Sequence, residues 1–258
     1  MGAMTEDEVV DFDEEAHSAN LEEFEREHLR YKFEKQELLL EALIHPSFRH
    51  PRMPQLSYER LEHVGDSVLN LLVTRELYSL YRDCSPGSLT RLRAANVDNE
   101  KLARVAAKHG FHRYMLGLTP VLHQQIRDFQ EAILEYPVHS SGLVDTPKFL
   151  ADIVESVVGA IYVDSNSLET VWKVIRPLLE PIISPETLKV HPMTELLEWS
   201  QKKKLKLKFV TDSLEDKTRV SIFLDETLVG TATCGRRRDV VKNKAATAAL
   251  HYFKATMV

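Results

Sequence analysis

The segment Tyr58-Glu59-Arg60-Leu61-Glu62-His63-Val64-Gly65-Asp66-Ser67-Val68-Leu69 sets three carboxylates on one stripe of an otherwise apolar helix. A second acidic helix, Leu150-Ala151-Asp152-Ile153-Val154-Glu155-Ser156, follows far downstream. At about 100° per residue, Glu59, Glu62 and Asp66 fall within roughly 60° of one another, and so do Asp152 and Glu155. Carboxylates packed together from two such stripes repel, and they remain ionised only where a hard cation such as Mg²⁺ neutralises them. The chemistry on offer is that of an oxygen-ligated divalent ion. A lone E-x-x-E is more often a solvated charge pair, here with Arg60, Arg91 or Arg93 as partners. The second stripe reverses that balance, because Asp152 and Glu155 sit in a stretch too apolar and too rich in small residues to face solvent.

Long, closely packed helices must position these groups. The first is predicted from about Tyr58 to Tyr81, free of proline, with Gly65 as the point where another backbone can approach. The second runs from Leu150 to Val163, and its small and β-branched residues suit an interior helix. Around them, Leu38 to Ile44 reads as an amphipathic helix ended by His45-Pro46-Ser47. Pro86-Gly87 opens another with Leu89, Leu92, Ala95 and Val97 on its apolar side, and Asn99 to Lys108 and Ser167 to Leu179 form two more. Between Leu116 and Lys148 the apolar pattern weakens, and Pro137 to Gly142 reads as a loop joining helices. With no internal repeat, residues 31–183 are expected to form one all-α domain.

Residues 1–30 carry 11 acidic and 2 basic side chains and are expected to be an acidic, disordered segment, in which a helix could begin near Leu21. A linker is expected at 184–190, after Pro177, Pro181 and Pro185. Residues 191–258 then read as a small α-β-β-β-α module: a helix from Pro192 to Gln201, strands over 206–211, 218–224 and 227–234 with Asp225-Glu226 as a tight turn, and a helix from Val240 to Lys254. At 258 residues and 43% hydrophobic content the chain can bury one large and one small core. The net charge of -6 divides into about -9, -2 and +5 over residues 1–30, 31–190 and 191–258, which points to a polyanionic partner for the basic end.

Two cysteines, Cys84 and Cys234, make neither a disulfide framework nor a zinc site, so a reducing compartment is expected. No apolar run approaches the ~18 residues that span a bilayer, and no membrane role is expected. The opening Met-Gly-Ala-Met reads as a cloning remnant that leaves room for a removed targeting segment; nucleus and/or cytoplasm is the expected location.

Glu59-Arg60-Leu61-Glu62-x-x-Gly65-Asp66-x-x-Leu69 resembles the signature helix of the ribonuclease III family, and Leu150-Ala151-Asp152-x-x-Glu155-x-x-x-Gly159-Ala160 resembles its second acidic motif. Pro86-Gly87-Ser88-Leu89-Thr90-x-Leu92-Arg93 and Asn96-Val97-x-Asn99-Glu100 are similar to the region between them. That region, with Lys148, looks nearer to plant Dicer-like and RNase-three-like proteins than to bacterial ones. The likeness spans roughly residues 33 to 180. The C-terminal module resembles a double-stranded-RNA-binding domain, with Lys242-Asn243-Lys244-Ala245-Ala246-x-Ala248-Ala249 opening its last helix. It departs from that family where Asn243 and Ala246 replace common lysines and where no Gly-Pro-x-His loop occurs between Asp212 and Lys217.

The resemblance implies a Mg²⁺-dependent endoribonuclease, with Mn²⁺ a plausible substitute, that cleaves both strands of double-stranded RNA. The ends would be 5′-phosphate and 3′-hydroxyl with short 3′ overhangs, made by a two-metal displacement with ions ~3.5 to 4 Å apart. It gives Glu62, Asp152 and Glu155 direct metal contact, with Asp66 orienting water or completing the second ion's shell. Glu59 would be an outer-shell or dimer-face carboxylate, and His63 stands where the family places an aromatic that plugs into the partner subunit. One nuclease domain per chain supplies one strand-cutting centre, so a homodimer is implied, with no small-molecule cofactor. The module would hold A-form RNA through Thr194, Glu195 and Glu198 and through Lys242 and Lys244 at the last helix's N-terminal turn, where the dipole adds positive field. Arg236, Arg237 and Arg238 would help from the neighbouring loop, and Lys148 would neutralise a phosphate unless it is simply solvated. The Lys202 to Lys208 run reads as a strand with its lysines in water, in preference to a nucleic-acid patch. The alternative is a catalytically silent duplex-RNA scaffold, motivated by His63 and the altered module; the intact carboxylates weigh against it.

Overall fold

The computed structural model of the chain describes residues 14–49, 56–213, 217–235 and 237–256. Its elements are α1 (Glu14–Phe24, continued by a π-helical turn to Leu29), α2 (Gln36–Ala42), α3 (Glu59–Leu80), α4 (Pro86–Val97), α5 (Asn99–Lys108), α6 (Pro120–Ala132), α7 (Lys148–Ser165), α8 (Leu168–Ile175), α9 (Pro192–Lys203), β1 (Leu207–Ser213), β2 (Thr218–Leu224), β3 (Thr227–Cys234) and α10 (Arg238–Thr256). They divide into two compact units, one drawn from the chain up to Gln130 and from Pro147–Pro185, the other from Glu131–Thr146 and from Glu186 onward. Among the described residues no helix is long and apolar enough to cross a membrane.

The all-helical first unit is organised round α7, which is buried on every side from Phe149 to Ile161 and packs against α2, α3, α5 and α8. A helix without a solvent-facing stripe must be enclosed by others, and that is what its run of apolar and small residues does. The side of α3 that meets it repeats at helical spacing: Leu61, Gly65, Val68, Leu69, Leu72 and Leu77 are buried. Local chemistry sets several of the helix starts. Ser85 accepts the Ser88 amide ahead of Pro86, Asp98 accepts that of Lys101, and Ser167 accepts that of Thr170.

Two expectations meet a different structure here. Residues 21–30, read as part of a disordered segment, bury Leu21, Phe24 and Leu29, with Phe24 edge-on to Phe111 at 4.8 Å between ring centres. Enough apolar side chains among the acids outweigh the local charge density. The weakly patterned stretch after Leu116 contains helix α6, which buries Ile126 and Phe129 and leaves Val121 exposed. Residues 1–13 lie outside the described residues.

The second unit has the α-β-β-β-α order expected of it. Its strands form an antiparallel sheet in the order β1-β2-β3, and Leu224 pairs with Thr227 across the two-residue turn in which Asp225 takes a φ of 53°. Leu196, Val220, Ile222, Val229, Val241, Ala245, Ala249 and Phe253 make its core, with Trp199 stacked on Phe253. The Lys202 to Lys208 run, read as a strand, instead ends α9 at Lys203 and enters β1 only at Leu207; its lysines are exposed, as expected. Residues 131–146, which the sequence places between helices of the 31–183 domain, fold with this unit.

Candidate metal centre

Helices α3 and α7 cross at two glycines. A Cβ on Gly65 would overlap the carbonyl oxygen of Glu155, and one on Gly159 would overlap the carbonyl of Leu61. Backbone-to-backbone contact brings the two acidic stripes together at the crossing. One carboxylate oxygen each from Glu62, Asp152 and Glu155 lies within 4.8 Å of the others, Asp152 and Glu155 being buried and Glu62 half-buried. Three hard oxygen donors, with neither His nor Cys among them, fit Mg²⁺ or Mn²⁺ rather than a soft metal.

Asp66 is not a member of this set of three; it is exposed, and its Oδ1 accepts a 2.7 Å hydrogen bond from Asn70, whose own oxygen is held by Arg93 at 3.0 Å. Glu59 is exposed and accepts the Ser57 hydroxyl at 2.9 Å, and His63 is exposed beside it on α3. Lys148 is neither free in solvent nor remote from the acids. Its ammonium donates to Glu62 at 2.9 Å and to Asp152, joining the two helices. Tyr58, buried at the start of α3, donates to the other Asp152 oxygen at 3.2 Å. Sequence reading missed Tyr58 and Asn70 as orienting groups; only the i, i+4 spacing of Asp66 and Asn70 could have signalled one of them.

Apart from Lys148, the expected RNA-contacting residues that the structure describes belong to the second unit. Thr194, Glu195 and Glu198 are exposed on α9, and Arg238, Lys242 and Lys244 are exposed at the start of α10. Arg237 pairs with Asp145 at 2.9 Å, and Arg236 lies outside the described residues.

Burial holds the Asp152 carboxyl above its ordinary value in spite of Lys148. Burial also works against the Lys148 charge, but its bonds to Asp152 and Glu62 prevail and raise its value. Glu155 faces three carboxylates. Burial first, then Asp66, Asp152 and Glu62, push it up to about 8, with only a smaller pull from Lys148 the other way. Between the ordinary carboxyl range and pH 8 the folded chain therefore keeps a proton that the unfolded chain has lost, and stability falls as pH rises. Below pH 6.5 burial of His28, His45, His109 and His112, whose values it lowers, works in the opposite sense. Lys101, lowered by burial to about 8, opposes weakly at the upper edge. From pH 6.5 to 8 in a chelator, stability is expected to drop by about 1 to 2 kcal/mol, roughly 3 to 6 °C in thermal midpoint. Glu155→Gln should abolish most of that drop; an equal drop in both proteins would assign it elsewhere.

A family model described as the ribonuclease III domain matches residues 59–166, the stretch that holds Glu62, Asp66, Asp152 and Glu155. Ribonuclease 3-like protein 3 of Oryza sativa subsp. japonica is 48% identical over 230 residues, 89% of this chain and 77% of that protein. Endoribonuclease Dicer homolog 1 of Arabidopsis thaliana is 43% identical over 211 residues, which are 79% of this chain but 11% of that protein. The solved nuclease domain of ribonuclease III from Campylobacter jejuni is 28% identical with a TM-score of 0.49, over 63% of this chain and 98% of that one. Sharing nearly half its residues with the rice protein across most of that protein's length, the chain belongs to the ribonuclease III family and is an endoribonuclease of it.

Proposed function

We propose that the chain cuts both strands of double-stranded RNA by Mg²⁺-dependent hydrolysis, as a homodimer, leaving 5′-phosphate and 3′-hydroxyl ends with short 3′ overhangs. The convergence of Glu62, Asp152 and Glu155 within 4.8 Å from two distant helices carries this reading. Glu62, Asp152 and Glu155 would hold Mg²⁺, or Mn²⁺ in its place, which would supply charge neutralisation, polarisation of the scissile phosphate and an acidified water for a two-metal displacement. Asp66, fixed by Asn70, orients water at the edge of the site. Tyr58 keeps Asp152 in place through one oxygen, and Lys148 holds positive charge at the rim for a backbone phosphate. The exposed Lys242 and Lys244 of the second unit add further phosphate contacts.

Each chain carries one such centre, so two strands take two subunits. Leu71 and Tyr78, one heptad apart on α3 and 52% and 73% exposed, offer an apolar face for that contact alongside His63. Long duplex RNA incubated with the protein and Mg²⁺ should lose both strands, while single-stranded RNA survives and a chelator stops the reaction. Sedimentation should give twice the chain mass. Duplex that is bound but left intact at millimolar Mg²⁺ would turn the protein into a scaffold.

A further inference from the structure

Residues 131–146 fold with the second unit, and the way they are held there is specific. Asn243, buried near the start of α10, donates from Nδ2 to the Gly142 carbonyl at 3.2 Å and accepts the Met193 amide on Oδ1 at 3.2 Å. That amide belongs to the first turn of α9 and has no acceptor within its helix. Gly142 has a φ of +84°, which favours glycine, and a Cβ there would lie 2.5 Å from Asn243 Nδ2 and 2.7 Å from His191 Nδ1, so both side chains would have to shift. The turn is braced from within: Ser140 Oγ accepts the Leu143 and Val144 amides at 3.1 Å each. Asp145 then meets Arg237 at 2.9 Å. Beside this contact, Tyr136, His139 and Leu143 face Glu195, Glu198 and Thr247 across a cavity of about 410 Å³.

We infer that the face around Asn243, between the N-terminal ends of α9 and α10, is a protein-docking surface whose occupant is the chain's own 139–145 segment, and that duplex RNA does not use this face. An amide satisfied at both atoms and a left-handed turn that favours glycine mark a built contact, since releasing the segment would leave Asn243 Nδ2 without its Gly142 acceptor. Glu195 and Glu198 offset Lys189 and Lys254 on the same face, which therefore carries no net positive charge to draw a phosphate backbone. Lys242 and Lys244 stay exposed with the segment in place and remain open to RNA.

The inference does not depend on whether the carboxylates cut RNA, and its test is run in a chelator on the full chain. Gly142→Ala and Asn243→Ala are each expected to speed hydrogen exchange of residues 139–145 by about tenfold or more, as local opening becomes easier, and Asn243→Ala that of the Met193 amide as well. Both should leave duplex-RNA affinity within about twofold of the native chain. Asp145→Asn, which cuts only the pair with Arg237, is the mild third variant and should also leave affinity unchanged. Affinity raised severalfold by any of the three, with the rest of α10 still protected, would make the segment a displaceable cover over an RNA surface and overturn the inference. Native exchange rates in both Gly142→Ala and Asn243→Ala would overturn it as well.

Discussion

Glu155→Gln is expected to slow duplex-RNA cleavage by at least about a hundredfold while leaving the fold intact. Loss of a group that merely supports a metal ligand costs about 10- to 100-fold, and a direct ligand should cost no less. In rate terms a hundredfold is about 2.7 kcal/mol of transition-state stabilisation, modest for removing one of three clustered anions. The amide keeps the size of the side chain and one oxygen but cannot carry the negative charge that balances a divalent ion. Stability should not suffer. With its value pushed up to about 8, the Glu155 carboxyl is already largely neutral in the metal-free folded chain at pH 7, so an uncharged amide replaces an uncharged acid. In a chelator the thermal midpoint is expected to lie above the native value at pH 7 and further above it at pH 8, because the unfolded variant gains no charge at this position. Glu59→Gln provides the contrast: Glu59 is exposed, lies outside the cluster and bonds Ser57, so less than about a threefold loss is expected. Cleavage by Glu155→Gln within tenfold of the native rate would remove Glu155 from the metal site.

The site's skeleton was legible because helical spacing alone aligns acids on a stripe, and because Gly65 in an otherwise good helix announces close approach. Local signals were equally plain in α5, where the expected bounds Asn99 to Lys108 are those observed, set off by the Asp98 cap. In the second unit the alternation of β-branched residues gave β2 and β3 with the observed limits. Helix α6 was missed because only Ile126 and Phe129 of its 13 residues are buried, too few to make a strong period beside the Pro137 to Gly142 turn signals. Pro120 at its first position was the available sign.

Partners distant in sequence were the illegible part. Asp152, four residues from Lys148, is a visible mate, whereas Glu62, which shares the same ammonium, is 86 residues away. Asn243 looked like a lysine lost from an RNA-binding pattern. In the structure it is an amide committed to Gly142, 101 residues earlier. Periodicity reports which side of a helix is buried and is silent on what buries it, so the docking of 131–146 on the second unit could not be read from it.

Gly65→Ala should unfold the site and weaken the whole first unit together. In an exposed helix interior the same change would stabilise by about 1 kcal/mol, because alanine is the better helix former. Here the added methyl would overlap the Glu155 carbonyl and lie 2.8 Å from the Gly159 nitrogen, and backbone atoms of a fully buried helix cannot rotate aside. Room comes only from moving α3 away from α7, at an overpacking cost of about 3 kcal/mol or more, which exceeds the propensity gain. A net loss of about 2 kcal/mol or more corresponds to a fall of roughly 4 to 8 °C in thermal midpoint. The same displacement separates Glu62 from Asp152 and Glu155, so cleavage is expected to drop by at least about a hundredfold even where the variant is fully folded. Mg²⁺ should raise the thermal midpoint of the native chain and not that of the variant, since an ion stabilises only a fold that can bind it. Gly87→Ala, where a Cβ meets nothing within 4 Å, should be neutral or slightly stabilising in the same assays. A Gly65→Ala chain with the native midpoint and the native Mg²⁺ response would mean that contact between these two backbones is not what brings the carboxylates together.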